Sequence, residues 1–194
     1  MSTTESTEIE VFVSQDFSVD LYSSTGVPVG VWGNPLDEAV SDGQRLNLTL
    51  DIVNKGNVPL ELDVTVTPEQ TTWPLGLFCG EQDAPRSLDL ILAPGSSAYC
   101  RIEVQVPQVV SDGAQNEVVV RTQLSPGEFI QNRTTLVVEE RPDLELSAPE
   151  SGLVQVTLGS LSTTSFKVDN IGNTDLTLAW ETGTVPEGWS VGFH

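Results

Sequence analysis

The stretch Leu46 to Leu62, LNLTLDIVNKGNVPLEL, constrains the fold most, because the chain carries it twice. A shift of 116 residues sets Asn54, Gly56, Asn57, Leu60 and Leu62 onto Asn170, Gly172, Asn173, Leu176 and Leu178. Without a gap, the same shift sets Trp73 onto Trp189 and Gly76 onto Gly192. Apolar character follows as well: Leu50 meets Phe166, Ile52 meets Val168 and Val64 meets Trp180. A period of this length is a whole domain rather than a turn of a solenoid, so a tandem array of one domain type is expected.

Inside the repeat the apolar period is two. Leu46, Leu48, Leu50 and Ile52 alternate with Asn47, Thr49 and Asp51, which describes a strand with one buried and one wet face. Asn54 to Asn57 reads as a turn in which Gly and Asn tolerate positive φ. Leu60, Leu62, Val64 and Val66 return. Leu88 to Leu92, Cys100 to Val106, Glu117 to Thr122 and Thr134 to Glu139 follow the same rule, with strands also at Glu8–Val13 and Phe17–Tyr22. Ala93 to Ser96 and Ser111 to Gly113 turn the chain, and Pro107 ends a strand by removing a ladder donor. Ser23 to Ser41, with three glycines and two prolines, reads mostly as loop. No sustained 3.6-residue period occurs. The expectation is all-β, with tandem immunoglobulin-like sandwiches.

The expected divisions are an N-terminal tail and strands (1–24), a complete sandwich (25–140), and a second unit represented by its front half (141–194), about four strands. Glu8–Leu21 resembles Thr135–Leu146, the exit of one unit and the approach to the next, as if the chain were cut from a longer array. A half sandwich exposes an edge and an apolar face. The N-terminal strand or a second molecule is expected to cover it, which makes self-association an expectation.

Charge narrows the partners. Against 28 acidic residues stand eight basic ones, for a net charge of −20. Such a surface repels phosphate backbones and anionic membranes and suits solubility in salt, so nucleic acid is not expected as a partner. No apolar run reaches the roughly 18 residues of a membrane span, so membrane insertion is not expected either. The polar, acidic start MSTTESTEIE lacks the regions of a signal peptide; an exported form would have lost its signal or be part of a longer chain. Cys79 and Cys100 either close one disulfide loop, stabilising by about 3 kcal/mol, or are two buried thiols. The bridge fits the extracellular cast of the composition.

Leu92-Ala-Pro-Gly-Ser96, the strand ending in Val106-Pro107, and Asp112-Gly113 with the strand after it resemble the back half of Ig-like repeats in secreted prokaryotic proteins. Ile52-Val-Asn54-Lys-Gly56-Asn57, and Val185-Pro-Glu-Gly-Trp189-Ser-Val in the second copy, resemble the front half. Together they are similar to the NPCBM-associated domain of some α-galactosidases and to CARDB-like cell-adhesion repeats. The cysteine pair and the Ser23–Ser41 insert depart from that pattern. The resemblance implies a non-catalytic spacer or adhesion module of a secreted or surface protein, with a protein or polysaccharide at a cell surface as partner.

Chemistry is sparse. His194 is the only histidine, and no nucleophile elbow or phosphate loop appears, so no enzyme, cofactor or metal is expected. Glu139-Glu140, Asp37-Glu38 and Glu61/Asp63 fit a solvated acidic surface better than a glycosidase pair. Asp42-Gly43 and Asp112-Gly113 read as turns rather than calcium loops. Trp73 and Trp189 recur and so serve the fold, and Trp180 falls on an inward series. Trp32, in VGVWGNP, either plugs the sandwich end or stacks on a sugar or partner. The alternative function is a carbohydrate-binding accessory module with Trp32 and nearby carboxylates as its contact. Asn47 and Asn132 begin glycosylation triplets, Asn47 on an outward face and Asn132 in a loop.

Overall fold

The computed structural model describes residues 12–29, 36–124, 127–148 and 155–192. These divide into two compact units, Met1–Glu139 and Glu140–His194. The strands of the first are β1 (Phe17–Tyr22), β2 (Leu36–Val40), β3 (Arg45–Asn54), β4 (Leu60–Pro68), β5 (Leu75–Cys79), β6 (Gln82–Ala84), β7 (Ser87–Leu92), β8 (Ser97–Gln105), β9 (Gln115–Leu124) and β10 (Phe129–Val138). The second holds β11 (Leu144–Ser147) and β12 (Lys167–Asn170). All structure among the described residues is β or irregular.

Two five-stranded sheets make the first unit, in the orders β1-β3-β8-β5-β6 and β2-β10-β9-β4-β7. Every pairing is antiparallel except β2 with β10. Period-two patterning decides which side chains lie between the sheets. Leu48, Leu50 and Ile52 of β3, Val64 and Val66 of β4, Ile102 and Val104 of β8, and Val118 of β9 are completely buried. Each such aliphatic side chain contributes about 1.5–3 kcal/mol on leaving water. The unit is an immunoglobulin-like β-sandwich.

Two sequence expectations need correction. Strand β1 is paired along its length with β3, from Phe17 opposite Asn54 to Tyr22 opposite Thr49, so it opens this sandwich and a boundary at 24/25 would divide it. Within Ser23–Ser41, Leu36–Val40 is a strand: the chain leaves one sheet after Tyr22 and joins the other beside β10. Of Glu8–Val13, residues 8–11 lie outside the described residues, and Phe12 and Val13 are exposed and unpaired by strand bonds.

The repeat is physical as well as sequential. In the first unit the N–H groups of Lys55 and Gly56 donate to the Asp16 carbonyl, at 2.8 and 3.0 Å, and Asn57 N–H donates to Ser14 O at 3.0 Å. In the second, Ile171 and Gly172 donate to Asp143 O at 3.1 and 3.0 Å, and Asn173 donates to Arg141 O at 3.1 Å. Side chains repeat the theme: Asn57 Oδ1 accepts the Ser14 N–H at 2.8 Å, and Asn173 Oδ1 that of Arg141 at 2.7 Å. Each unit thus clamps its lead-in segment against the turn that follows its second sheet-one strand. Register agrees too, with Phe17 opposite Asn54 and Leu144 opposite Asn170. From Asp16 to Asn54 is 38 residues and from Asp143 to Asn170 is 27, so the Ser23–Ser41 insert lies between two fixed points of the repeat.

Glycine serves this clamp differently from the sequence expectation. Neither Gly56 nor Gly172 has positive φ. Backbone proximity is what excludes a side chain: a Cβ on Gly56 would sit 2.3 Å from Ser14 O, and one on Gly172 would sit 2.2 Å from Arg141 O. The positive-φ glycines of the turns are others, among them Gly43 and Gly113.

The second unit shows less strand than expected, two among the described residues rather than four. Leu176 to Trp180, equivalent to the start of β4, is not a strand. In the first unit β4 lies between β9 and β7, and no counterpart of either stands beside Leu176–Trp180 among the described residues.

Candidate functional site

Cys79 and Cys100 form a disulfide and stand directly opposite each other in β5 and β8, with Cα atoms 4.2 Å apart. Both face the core, at 6% and 1% exposure. The bridge therefore lies within one sheet and fastens β5, a strand held only by β8 and the three-residue β6, to the sheet's middle.

On the outer face of the same sheet the β1–β3 register sets Asp20 opposite Asp51. On its other side Asp51 faces Tyr99 of β8. Asp51 Oδ1 is buried without a hydrogen-bond partner. Burial first, and the Asp20 charge second, push the Asp51 carboxyl above its ordinary value. Such a group binds its proton more tightly folded than unfolded, so stability declines as pH rises above the ordinary carboxylate range. Asp51→Asn removes a like-charge pair worth about 0.2–1 kcal/mol. The expected result is a gain of that size in thermal or urea denaturation at pH 7 that fades toward pH 3; an equal effect at both would contradict the assignment.

The remaining acidic candidates serve structure or face solvent. Glu38 accepts the Ser24 N–H at 3.1 Å and its hydroxyl, fastening the middle of β2 to the turn after β1. Glu61 and Asp63 lie on the exposed face of β4. Among the described residues no three His, Cys, Asp or Glu side chains converge as a metal site. Asp42-Gly43 and Asp112-Gly113 are turns whose glycines adopt φ of 70° and 67°.

Two shallow clefts open at the ends of the first unit. One, of about 380 Å³, is lined by Asp16, Phe17 and Gly127 to Ile130. The other, of about 460 Å³, is lined by Gln70, Trp73, Pro107, Val109 and Val110 among others. Trp73 is 3% exposed, so its ring face is spent on packing. The acidic pairs singled out in the sequence line neither cleft.

Of the other site candidates, Trp32 and His194 lie outside the described residues. Asn47 is exposed on β3 as expected. Asn132 is not in a loop: it belongs to β10, is 1% exposed, and its amide donates to Val19 O of the facing sheet at 3.3 Å. Its side chain bridges the two sheets and is closed to a glycosyl transferase in the folded unit. Sequence reasoning missed this group because Asn116, Thr122, Asn132 and Thr134 are polar residues at inward positions, which the apolar alternation does not mark.

Trp180 and Trp189 also depart from expectation. They are 50% and 58% exposed, whereas Val64 and Trp73, their equivalents, are 0% and 3%. Nearby Leu144, Leu146, Phe166, Leu178 and Val191 are likewise between 44% and 59% exposed. The residue types are those of a core, and among the described residues the second unit has a single sheet, β11-β12.

No protein-family profile matches the chain. No curated protein matches it either. Similar solved structures include a family 123 glycoside hydrolase from Clostridium perfringens, with 10% identity over 63% of this chain and a TM-score of 0.43. This chain spans only 27% of that enzyme's chain. BcpA, the major pilin subunit of Bacillus cereus, matches 82% of this chain and 56% of its own, with 8% identity and a TM-score of 0.38. A PapD-like domain of human CEP192 matches 72% of this chain and 95% of its own, with 11% identity and a TM-score of 0.34.

Proposed function

We propose that the chain is a non-catalytic structural module, a spacer or adhesion unit of a secreted or cell-surface protein. The observation that carries this reading is the repeated clamp. Two successive units tie their lead-in strands by the same hydrogen bonds to the same Asn-x-Gly-Asn turn, the construction of domains strung in series. The finer affinity we infer is to the NPCBM-associated and CARDB-like repeats, supported by the order of the motifs from Ile52 to Gly113. Export is supported by the disulfide, which persists in oxidising compartments. The acidic surface suits a soluble partner or polysaccharide better than a phosphate backbone. Function belongs to sites rather than folds, and nothing in either cleft gathers the groups of a reaction.

Protease treatment and impermeant biotin labelling of intact source cells test this. The expected result is labelling at the surface or recovery from the medium. Protection inside the cell, with Cys79 and Cys100 reduced there, would contradict it. Binding on a glycan array that is lost in Trp32→Ala would replace the spacer reading with the carbohydrate-binding one.

A further inference from the structure

Two Asn-x-Thr triplets occur in the chain, and the fold treats them in opposite ways. Asn132 and Thr134 of β10 are 1% and 0% exposed, and the Asn132 amide is spent on Val19 O of the facing sheet. A sugar on that nitrogen would hold the two sheets apart. In Asn47-Leu48-Thr49 of β3 the middle residue is the buried one: Leu48 is 0% exposed, and Asn47 and Thr49 flank it on the outer face, both exposed. Residues two apart along a strand stand about 7 Å from each other on one face, so the amide and the hydroxyl of this acceptor triplet open to the same side. The β1 ladder ends with Tyr22 opposite Thr49. Among the described residues, Arg45 to Leu48 are therefore paired with β8 alone.

We infer that Asn47 carries an N-linked glycan, added after the first sandwich has closed, and that Asn132 stays bare. The order follows from burial. A transferase that meets the unfolded chain finds two triplets, and sugar on Asn132 then blocks the fold. A transferase that meets the closed unit finds Asn47 alone. The donor is an oligosaccharide carried on a lipid phosphate. The Asn47 amide nitrogen bonds to the anomeric carbon of its first sugar, and the bond from that carbon to the phosphate oxygen breaks. The lipid phosphate leaves with the electron pair, and the amide gives one proton to a base of the transferase. The outer face of this sheet then receives the sugar. Tyr22, opposite Thr49, is the diagonal neighbour of Asn47, within reach of a long side group. Arg101 stands opposite Thr49 on the other side, and Tyr99, two positions along β8, is 67% exposed. Both tyrosines of the chain lie on this face, so a glycan rooted at Asn47 has aromatic rings to rest on. A bulky, hydrated group here covers aromatic surface that the core does not use.

The inference rests on export, as proposed above. Peptide mass mapping of the full chain from its source cells, recovered separately from the medium, the surface and the cell interior, tests it. Trypsin releases the two triplets on different peptides, Leu46–Lys55 and Thr122–Arg133. In the exported chain Leu46–Lys55 is expected to be heavier by a glycan and to lose that mass on chemical deglycosylation, with Thr122–Arg133 at its unmodified mass. Asn47→Gln and Thr49→Ala each abolish the added mass, and Thr49→Ser keeps it. All three variants are expected to stay folded by circular dichroism, because both positions face solvent. An exported chain whose Leu46–Lys55 is bare overturns the inference and leaves the export reading standing. A glycan on Thr122–Arg133 of the folded protein, or an added mass indifferent to Thr49→Ala, overturns it as well. A chain kept inside the cell with Cys79 and Cys100 reduced overturns the export reading and this inference with it.

Discussion

Reduction of the Cys79–Cys100 bridge, or Cys79→Ser with Cys100→Ser, lowers the stability of the first unit by about 3 kcal/mol. The magnitude follows from the loop closed between residues 21 apart. Its local consequence is larger than the average suggests. Strand β5 is flanked by β8 and by the three-residue β6, and β5 presents Leu77 to the core at 0% exposure. Without the bridge, β5 and β6 are a short edge ribbon held by ladder bonds and the packing of Leu77 and Leu75, so they are expected to open before the rest of the sheet. Loss of about 3 kcal/mol corresponds to roughly 10 °C in the unfolding midpoint for a unit of this size. Thermal denaturation followed by circular dichroism, with and without reductant, checks it. An unchanged midpoint would mean that the unfolded chain gains no freedom from the cut.

Asn54→Ala is expected to cost a similar amount, about 3 kcal/mol, while Asn170→Ala costs about 1. Asn54 is fully buried, and its amide donates to Val58 O and Leu92 O, both at 2.9 Å. Its Oδ1 accepts the Gly56 N–H at 2.9 Å. Truncation removes three hydrogen bonds in closed surroundings, at about 1 kcal/mol each. Asn170 repeats two of those bonds, to Thr174 O at 2.8 Å and from Gly172 N–H at 3.0 Å, but is exposed. Water replaces what truncation removes there. Urea denaturation read by circular dichroism measures the first cost, and amide exchange at Leu144–Ser147 the second. Equal costs would mean that the two clamps sit in equally closed surroundings.

Most of the first unit could be read from residue order alone, because one face of each long strand is buried and period two records it. Leu46 to Ile52 and Cys100 to Val106 are clear examples. Strands that lack the pattern stayed hidden. β5 contains Gly76, β6 is only Gln82–Ala84, and β2 follows a Gly/Pro-rich run that reads as loop. Alternation also says which face turns inward without saying whether anything covers it. Phe166, Leu178 and Trp180 carry the pattern of Leu50, Leu62 and Val64 and are nonetheless exposed, because burial depends on a facing sheet elsewhere in sequence. Asn132 fails in the opposite sense: a polar residue in an acceptor triplet looks like surface, yet it lies between the sheets with its amide on Val19 O. Gly56 was legible as necessary, though the reason is close backbone approach and not φ.

The central claim is that a closed sandwich is followed by a second copy of its lead-in clamp, whose apolar residues are exposed among the described residues. Hydrogen exchange with mass spectrometry on dilute protein tests it most directly. Amides of β3, β8 and β9 are expected to exchange only through global opening. Ile171, Gly172 and Asn173 should keep partial protection from their clamp bonds, while residues 155–165 and Leu176 to Ala179 exchange nearly as an unfolded chain does. Protection of residues 155–165 and Leu176 to Ala179 equal to that of β3 would mean a second sandwich closed on itself, and would contradict the account.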